Sequence, residues 1–218
     1  MPFASPEAPS RRIFVLGVLT AACAAAPDAL AAGRRPVVTI LGDSITAGYG
    51  LEAAEALPAQ LKAALRRLGV DAEVRGAGVS GDTTEGGLAR LDFSVQADTS
   101  LCVVALGGND LLQGLDTRAM RSNLEAIVRR LKARRIRALI CGLKAPSRLN
   151  AHFARDFDAA FPEAARATGA LLYPNLLQGV AQSQALNQRD GIHPNPKGVK
   201  IIAASLAPVI ARALRGAA

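Results

Sequence analysis

The sequence is poor in the residues that most often bind metal ions. Its 218 residues include only two histidines and three cysteines. His152 and His193 are far apart in the chain, and Cys102 and Cys141 lie inside apolar runs that resemble strands. Because a metal site needs several such ligands close together, we expect neither a metal ion nor another cofactor. A site built from carboxylates alone stays open, although no residue pattern points to one.

The shortage of cysteine also bears on disulfide formation. Cys102 opens the run LCVVAL, whereas Cys141 closes the run RALIC. Neighbouring parallel strands would hold these two thiols at opposite ends. We therefore expect two buried free thiols, even if export places the protein in an oxidising compartment.

After its first 32 residues the chain lacks any apolar run of the roughly 18 to 20 residues that a membrane-spanning helix needs. Within them, two arginines precede the apolar stretch 13–26, and the small residues of ALA at 29–31 fit a signal-peptidase site. This order predicts a signal peptide over residues 1–31 and a mature domain over 32–218. The protein is then periplasmic or secreted, with no stable membrane span.

The route of export has alternatives. The segment SRRIFVL, residues 10–16, resembles the twin-arginine signal, and an ordinary Sec signal stays open. Cys23 raises the alternative of a lipoprotein. Thr20 disfavours it, because the corresponding position of a lipobox normally holds leucine.

Acidic residues are fewer than basic ones, 18 against 26, so the formal net charge is +8. The predicted leader carries equal numbers of both, and the whole excess falls in residues 32–218. Six basic residues between Arg129 and Arg137 could attract anionic lipid or nucleic acid. Since no aromatic residues interleave with them, we expect a solvated helix end and no nucleic-acid partner.

Short apolar runs alternate with segments of helical period along the rest of the chain. The predicted strands are residues 36–41, 71–75, 100–106, 136–142 and 170–173. Apolar residues spaced three or four apart predict helices with these core-facing stripes: Leu57, Leu61, Leu65 and Leu68; Met120, Leu124, Ile127 and Leu131; Phe153, Phe157 and Phe161; Val199, Ile202, Leu206 and Val209. The pattern predicts one α/β domain, a three-layer α/β/α sandwich with a five-stranded parallel sheet.

Polar turns follow the first three predicted strands. Ser44 lies in LGDSITAG after the first, GAGVSGD at 76–82 follows the second, and GGND at 107–110 follows the third. In parallel sheets, binding and catalytic groups gather beyond the carboxyl ends of the strands. We expect all three turns to open onto the same edge of the sheet.

Ser44 could cap a helix, or it could be a nucleophile if a base removes its proton. His193, in RDGIHPNP, is the candidate base, and Asp190 lies three residues before it, within reach of the imidazole through a turn. That motif could also simply end a loop and begin a helix. His152 is four residues before Asp156, a spacing that predicts a surface pair.

Attack by a serine on a carbonyl group also requires donors for the negative charge that develops on the carbonyl oxygen. Gly81 can present an unobstructed backbone N–H, and Asn109 can present a side-chain amide. Either residue could instead serve only its turn.

Four motifs resemble those of the SGNH hydrolases, also called the GDSL family; in chain order they are LGDSITAGYG, SGDTTEGGLARL, LGGND and DGIHPN. Within that family the sequence is most similar to the bacterial thioesterase I, arylesterase and lysophospholipase group. The resemblance implies a flavodoxin-like fold and a serine esterase acting on a small acyl ester or thioester through an acyl-enzyme. It implies Ser44 as nucleophile, Asp190 and His193 as its partners, and an oxyanion hole from Gly81, Asn109 and the Ser44 N–H. Residues 147–177 depart from the group, which leaves the acyl pocket undefined.

Parts of the sequence are compatible with other functions. A carbohydrate O-acetylesterase on the same fold is the alternative enzyme, and a non-catalytic secreted binding protein is the alternative class. GAGVSG at 76–81 fits the glycine pattern of a dinucleotide-binding fingerprint, but that fingerprint should follow the first strand and this segment follows the second. The fingerprint also needs an acidic residue at the end of the next strand, whereas Asp98 lies before that strand. The GxSxG elbow of ordinary α/β-hydrolases is missing around Ser44.

Overall fold

The computed structural model describes residues 35–216, together with Met1 and Phe3. The chain divides into two units, Met1–Arg34 and Arg35–Ala218, and the helices and strands given below all lie in the second. Apart from Met1 and Phe3, the predicted signal peptide over residues 1–31 lies outside the described residues, as does Cys23.

Residues 35–216 form five strands and eight helices. The strands are β1 (Val37–Gly42), β2 (Glu73–Gly78), β3 (Leu101–Ala105), β4 (Arg137–Cys141) and β5 (Leu171–Tyr173). The helices are α1 (Ser44–Ala47), α2 (Leu57–Arg67), α3 (Thr84–Ala89), α4 (Leu91–Ser94), α5 (Gly108–Leu112), α6 (Thr117–Ala133), α7 (Ala151–Thr168) and α8 (Pro196–Leu214).

The strands form one sheet in the order β2-β1-β3-β4-β5, and every neighbouring pair is parallel. The predicted five-stranded parallel sheet is therefore confirmed. The chain runs outward from β1 in one direction to β2 and in the other direction to β3. Loops after β1 and β3 consequently diverge, and such a reversal is where α/β sheets open a cleft at their carboxyl edge.

Both faces of the sheet are covered by helices, as the three-layer prediction requires. Successive strand residues alternate between the two apolar layers: Ile40 packs in the cluster that contains α2 and α8, and Leu41 in the cluster that contains α6 and α7. Phe157 and Phe161 meet edge to face inside the second cluster, with ring centroids 5.2 Å apart. Burying each such large side chain contributes roughly 1.5 to 3 kcal/mol.

Two details of the predicted elements are wrong. Leu68, assigned to a core stripe, is 44% exposed because α2 ends at Arg67 and Leu68 is its C-cap. The second strand runs to Gly78, beyond the predicted end at residue 75, and so includes the first three residues of GAGVSGD. Glycine is required there because a Cβ at Gly78 would overlap the backbone of Ala47 in α1.

The two described cysteines are free and fully buried, as predicted. Cys102 is paired in register with Ala138, three residues before Cys141 on the neighbouring strand. Their side chains also lie in different apolar layers. Strand register and sheet face therefore both keep the thiols apart.

Several of the basic residues from Arg129 to Arg137 pair with groups on their own helix or on neighbouring elements. Arg129 pairs with Glu125 at 2.6 Å, and Arg130 and Arg134 both reach Asp92. Lys132 donates to the carbonyl of Thr168 at the end of α7. These contacts fit the expected helix end. Within the described part of the chain, no helix is both long and apolar enough to cross a bilayer.

Candidate active site

Ser44 lies in an abrupt change from strand to helix. β1 ends at Gly42, and the Asp43 carboxylate accepts the N–H of Ile45 at 3.0 Å, which caps α1. Ser44 is the first residue of α1. The helix is only four residues long and ends at Gly48, whose φ of 78° is in the left-handed region that favours glycine. The serine is thus held at the carboxyl edge of the sheet, where the sequence places it.

The structure brings Ser44 together with the two predicted partners from the far end of the chain. His193 Nε2 lies 2.9 Å from Ser44 Oγ, although the residues are 149 positions apart. On the other side of the ring, His193 Nδ1 lies 2.6 Å from Asp190 Oδ2. The three side chains form one continuous hydrogen-bonded row.

Asp190 is held in its ionised form by its own turn. Its Oδ1 accepts the backbone N–H groups of Ile192 at 2.9 Å and His193 at 3.0 Å. The N–H of His193, then the imidazole, then the N–H of Ile192 lower the pKa of this carboxyl to about 2. A negative charge is therefore present beside His193 Nδ1 throughout the ordinary pH range.

Hydrogen bonds on both sides hold the loop that carries His193. The backbone N–H of Gln188 donates to His193 O at 2.8 Å, and its side-chain amide donates to Tyr49 O and Pro194 O. Asn195 caps α8 by accepting the N–H groups of Lys197 and Gly198. The interpretation of DGIHPNP as a loop end followed by a helix start is thus correct.

Tyr49 covers one face of the histidine. Its ring centroid lies 4.6 Å from that of His193, with the planes tilted by 37°. The residue belongs to the quoted stretch LGDSITAGYG, but nothing in its sequence position indicated this contact. Gln188, which anchors Tyr49 from the opposite loop, carried no sequence signal either.

The two candidate oxyanion donors lie on the same cavity as Ser44 and His193. Gly81 has φ of 86°, so its backbone requires glycine even though a Cβ would meet no neighbouring atom. One N–H of the Asn109 amide donates to Asp82 O at 2.8 Å. That bond ties the turn after β3 to the turn after β2 and leaves the second N–H of the amide available.

Arg90 supports this arrangement and was not predicted to have a role. Its guanidinium donates to Asp82 Oδ2 at 2.6 Å, to Ala77 O at 3.0 Å and to Gly42 O at 2.8 Å. Asp82 directly follows Gly81, and Gly42 precedes the turn that carries Ser44. The signal that could have found Arg90 is its place in the quoted motif SGDTTEGGLARL.

A second buried contact holds the turn of Asn109. Asp110 is buried and accepts the backbone N–H of Thr84 at 2.9 Å and its hydroxyl at 2.6 Å. The start of α3 and the start of α5 are thereby joined.

His152, by contrast, pairs with Asp156 at 3.0 Å on α7, which confirms the predicted surface pair, and neither residue lines the cavity.

The cavity beside Ser44 has a volume of about 350 Å³. Its wall is largely apolar and contains Leu111, Leu112, Leu143, Leu176 and Leu177. The last two of these, together with Arg148, come from the stretch 147–177 that departs from the resembled group. Leucine side chains suit hydrocarbon, and Ser44 and His193 of the polar row line the same cavity.

Asp43 is a buried carboxylate on the cavity wall. Burial raises its pKa to about 6, against the opposing effects of the Ile45 N–H and of nearby His193. Its side chain lines the cavity next to Ser44. An ionised Asp43 therefore opposes folding but attracts a positive charge on His193.

Comparison with known proteins agrees with this geometry. Residues 40–201 match the model of the GDSL-like lipase/acylhydrolase family. The chain belongs to that family. It is therefore an ester-hydrolysing enzyme, and its substrate is a small-molecule ester.

Individual relatives cover most of the chain. It is 34% identical over 156 residues to esterase TesA of Pseudomonas aeruginosa, covering 71% of this chain and 78% of the relative. It is 33% identical over 191 residues to thioesterase 1/protease 1/lysophospholipase L1 of Escherichia coli, covering 87% and 86%. The solved structure of AlinE4, an SGNH-hydrolase family esterase, is 42% identical with a TM-score of 0.70, covering 84% and 98%.

The buried Asp43 predicts a pH dependence of stability. Its ordinary pKa of 3.8 is raised to about 6 on folding, so the folded state retains a proton that the unfolded state has lost. Stability should decline as the pH rises from about 4 to about 6 and stay level above, with a total of up to ~3 kcal/mol. Asp43→Asn keeps the capping oxygen without the charge and should lack this decline, as measured by urea unfolding from pH 4.5 to 8.

Glu52→Gln, at an exposed acid, is the matched control and should follow the wild-type profile. Asp190 does not interfere, because its lowered pKa contributes a slope only below about pH 4. Parallel profiles for Asp43→Asn and wild type would show that Asp43 is ionised without cost.

Proposed function

We propose that the enzyme is a serine esterase that hydrolyses carboxylic esters and thioesters of acyl chains through an acyl-enzyme. The observation that carries this proposal is the hydrogen-bonded row from Ser44 through His193 to Asp190. Ser44 and His193 of this row line a largely apolar cavity. Family membership indicates that the bond cleaved is an ester, and the row contains a nucleophile, a base and a group that orients the base.

In the proposed reaction, His193 Nε2 takes the proton of Ser44 Oγ as the oxygen attacks the carbonyl carbon of the ester. Asp190 accepts the Nδ1–H and stabilises the imidazolium that forms. The tetrahedral intermediate collapses, His193 Nε2 returns the proton to the departing oxygen or sulfur, and the acyl group stays on Ser44. Water then repeats the sequence, with His193 as its base, and releases the carboxylic acid.

The oxyanion donors in this proposal are the Ser44 N–H, the Gly81 N–H and the free N–H of the Asn109 amide. The support for Asn109 is its fixed orientation, since its other N–H is bound to Asp82 O. The support for Gly81 is its left-handed backbone on the cavity wall next to Asp82. Preorganised donors of this kind favour the charged intermediate over the neutral ester.

The cavity favours acyl chains longer than acetate as the substrate. An acetyl group would leave most of a leucine-lined volume of about 350 Å³ unfilled, whereas a hydrocarbon chain would bury against it. This supports an esterase or thioesterase over the alternative of a carbohydrate O-acetylesterase. The intact row of three polar groups also disfavours a binding protein without catalysis.

Export to the periplasm or the medium is part of the same proposal. It rests on the leader pattern at residues 1–31, which contains an arginine pair, an apolar stretch and an ALA site. Substrates of the enzyme would then be esters that occur outside the cytoplasm.

The first test of the function is the nucleophile. An organophosphonate probe should label the enzyme once, on the peptide that contains Ser44, and Ser44→Ala should abolish both labelling and turnover. Turnover is measured with p-nitrophenyl and acyl-CoA esters of graded chain length, beside an acetylated sugar. We expect medium-chain esters to be cleaved faster than acetate.

The two histidines provide the control for this test. His193→Ala should lose activity together with Ser44→Ala, whereas His152→Ala, on the exposed face of α7, should retain it. Labelling on another residue, or normal rates in Ser44→Ala, would contradict the serine mechanism. Faster cleavage of the acetylated sugar would favour the acetylesterase.

A second prediction concerns Asn109. The charge that its amide would stabilise exists mainly in the transition state, so Asn109→Ala should lower kcat by about 10² to 10³-fold with a smaller change in KM. Rates are expressed per folded molecule, with circular dichroism and thermal melts alongside. A folded variant within about threefold of wild type would remove Asn109 from the site.

A third prediction concerns the leader. Intact mass spectrometry of the protein recovered from the periplasm or the medium should give a chain that begins near Ala32, because cleavage is expected after the ALA site. A full-length product confined to the cytoplasm would contradict both the signal peptide and the compartment.

A further inference from the structure

The charged side chains on the cavity are unevenly distributed. Two permanent cations, Lys144 and Arg148, line it, and the only carboxylate among the described lining residues is Asp43. Asp43 is buried, whereas both cations are exposed. The mouth of the cavity therefore presents positive charge to an incoming molecule.

Two further carboxylates near the cavity are already engaged. Asp158 binds the ammonium group of Lys144 at 3.1 Å, and its other oxygen accepts the backbone N–H of Ala145 at 2.9 Å. Asp190, which precedes the lining residue Gly191, is bound to His193. Lys144 thus helps to fasten the loop between β4 and α7 and is partly neutralised.

Unlike Lys144, Arg148 is not paired with a carboxylate of residues 35–216. It lies in a turn closed by a hydrogen bond of 3.1 Å from Leu149 N to Pro146 O. Among residues 35–216 its guanidinium forms neither an ion pair nor a side-chain hydrogen bond. A guanidinium presents five N–H donors in a planar fork that matches the oxygens of a phosphate group.

We propose that Arg148 binds a phosphate-bearing leaving group of the substrate at the mouth of the cavity. This inference rests on the proposed function, in which the acyl chain fills the leucine-lined part and Ser44 attacks the ester between the two. A phosphate cannot enter the apolar part without losing its hydration, so the leaving group must extend outward. Of the two exposed cations on the cavity, Arg148 is the one that no described carboxylate neutralises.

Two kinds of ester carry such a leaving group. One is a thioester of a phosphorylated carrier such as coenzyme A, and the other is a lysophospholipid. Each has a neutral counterpart with the same acyl chain and the same reacting bond. Decanoyl-N-acetylcysteamine matches decanoyl-CoA, and monodecanoylglycerol matches decanoyl-lysophosphatidylglycerol.

The test compares kcat/KM of wild type and Arg148→Ala on these four substrates. We expect Arg148→Ala to lose about five- to tenfold on a phosphate-bearing substrate and less than about twofold on its neutral counterpart, as for one charge-assisted contact at an exposed site. Arg148→Lys should lose less than Arg148→Ala, because it keeps the charge but not the fork. Added salt should slow wild type on the charged substrates more than it slows Arg148→Ala.

Arg67→Ala is the matched control, because Arg67 is an exposed arginine in the last turn of α2 and lies outside the cavity lining. If Arg148→Ala loses kcat/KM on only one of the two phosphate-bearing substrates, that substrate is the source of the phosphate that Arg148 binds. A loss on both substrates supports recognition of the phosphate group that they have in common. An equal loss on charged and neutral substrates, or no loss, overturns the proposal.

Failure of wild type to cleave any of the four esters would contradict the proposed function instead. The subsite is then decided by calorimetry with decanoyl-CoA, in which Arg148→Ala should bind about five- to tenfold more weakly than wild type, the same contact being lost. Equal binding overturns the proposal.

Discussion

The guanidinium of Arg90 holds together the edge of the sheet on which the site is built. It joins the last carbonyl of β1, a carbonyl of β2 and the carboxylate that follows Gly81. Because Ser44 follows β1 by two residues, this side chain helps to set the distance between the serine turn and the proposed oxyanion loop, together with the bond from Val79 N to Gly42 O. One planar group with several donors loses less conformational entropy than separate side chains would lose to make the same contacts.

Ordinary helix capping and the chemistry of the site depend on adjacent residues. Asp43 caps α1 and Ser44 follows it, while Asn195 caps α8 two residues after His193. Each cap fixes the direction in which the chain leaves the sheet edge, and so fixes where the neighbouring functional side chain lies. The structural and the functional interpretations of LGDS and DGIHPNP are therefore two aspects of the same local geometry.

Much of this architecture could be predicted from the sequence because it depends on local patterns of residues. The parallel sheet and most strand ends follow from apolar periodicity, and the positions of the candidate site residues follow from turn residues and sequence motifs: Ser44, Gly81, Asn109, Asp190 and His193. Contacts across the fold were not predictable: Arg90 on Gly42, Tyr49 on His193 and Gln188 on Tyr49 join residues with no periodic relation. The extension of β2 to Gly78 was missed for a related reason, since only the neighbouring helix shows why glycine is needed there.

The two carboxylates beside Ser44 and His193 differ in their pKa, and this difference indicates different roles. Asp190 receives two backbone N–H groups and the imidazole, and its pKa falls to about 2, whereas buried Asp43 receives one N–H and its pKa rises to about 6. Capping alone does not call for a charge at Asp43, because asparagine and serine cap helices about as well as aspartate. What the carboxylate adds is attraction toward His193, which in the proposed reaction becomes positive when Ser44 gives up its proton. A group that weakens the folded state at neutral pH thus favours the charged state that the proposed reaction must pass through.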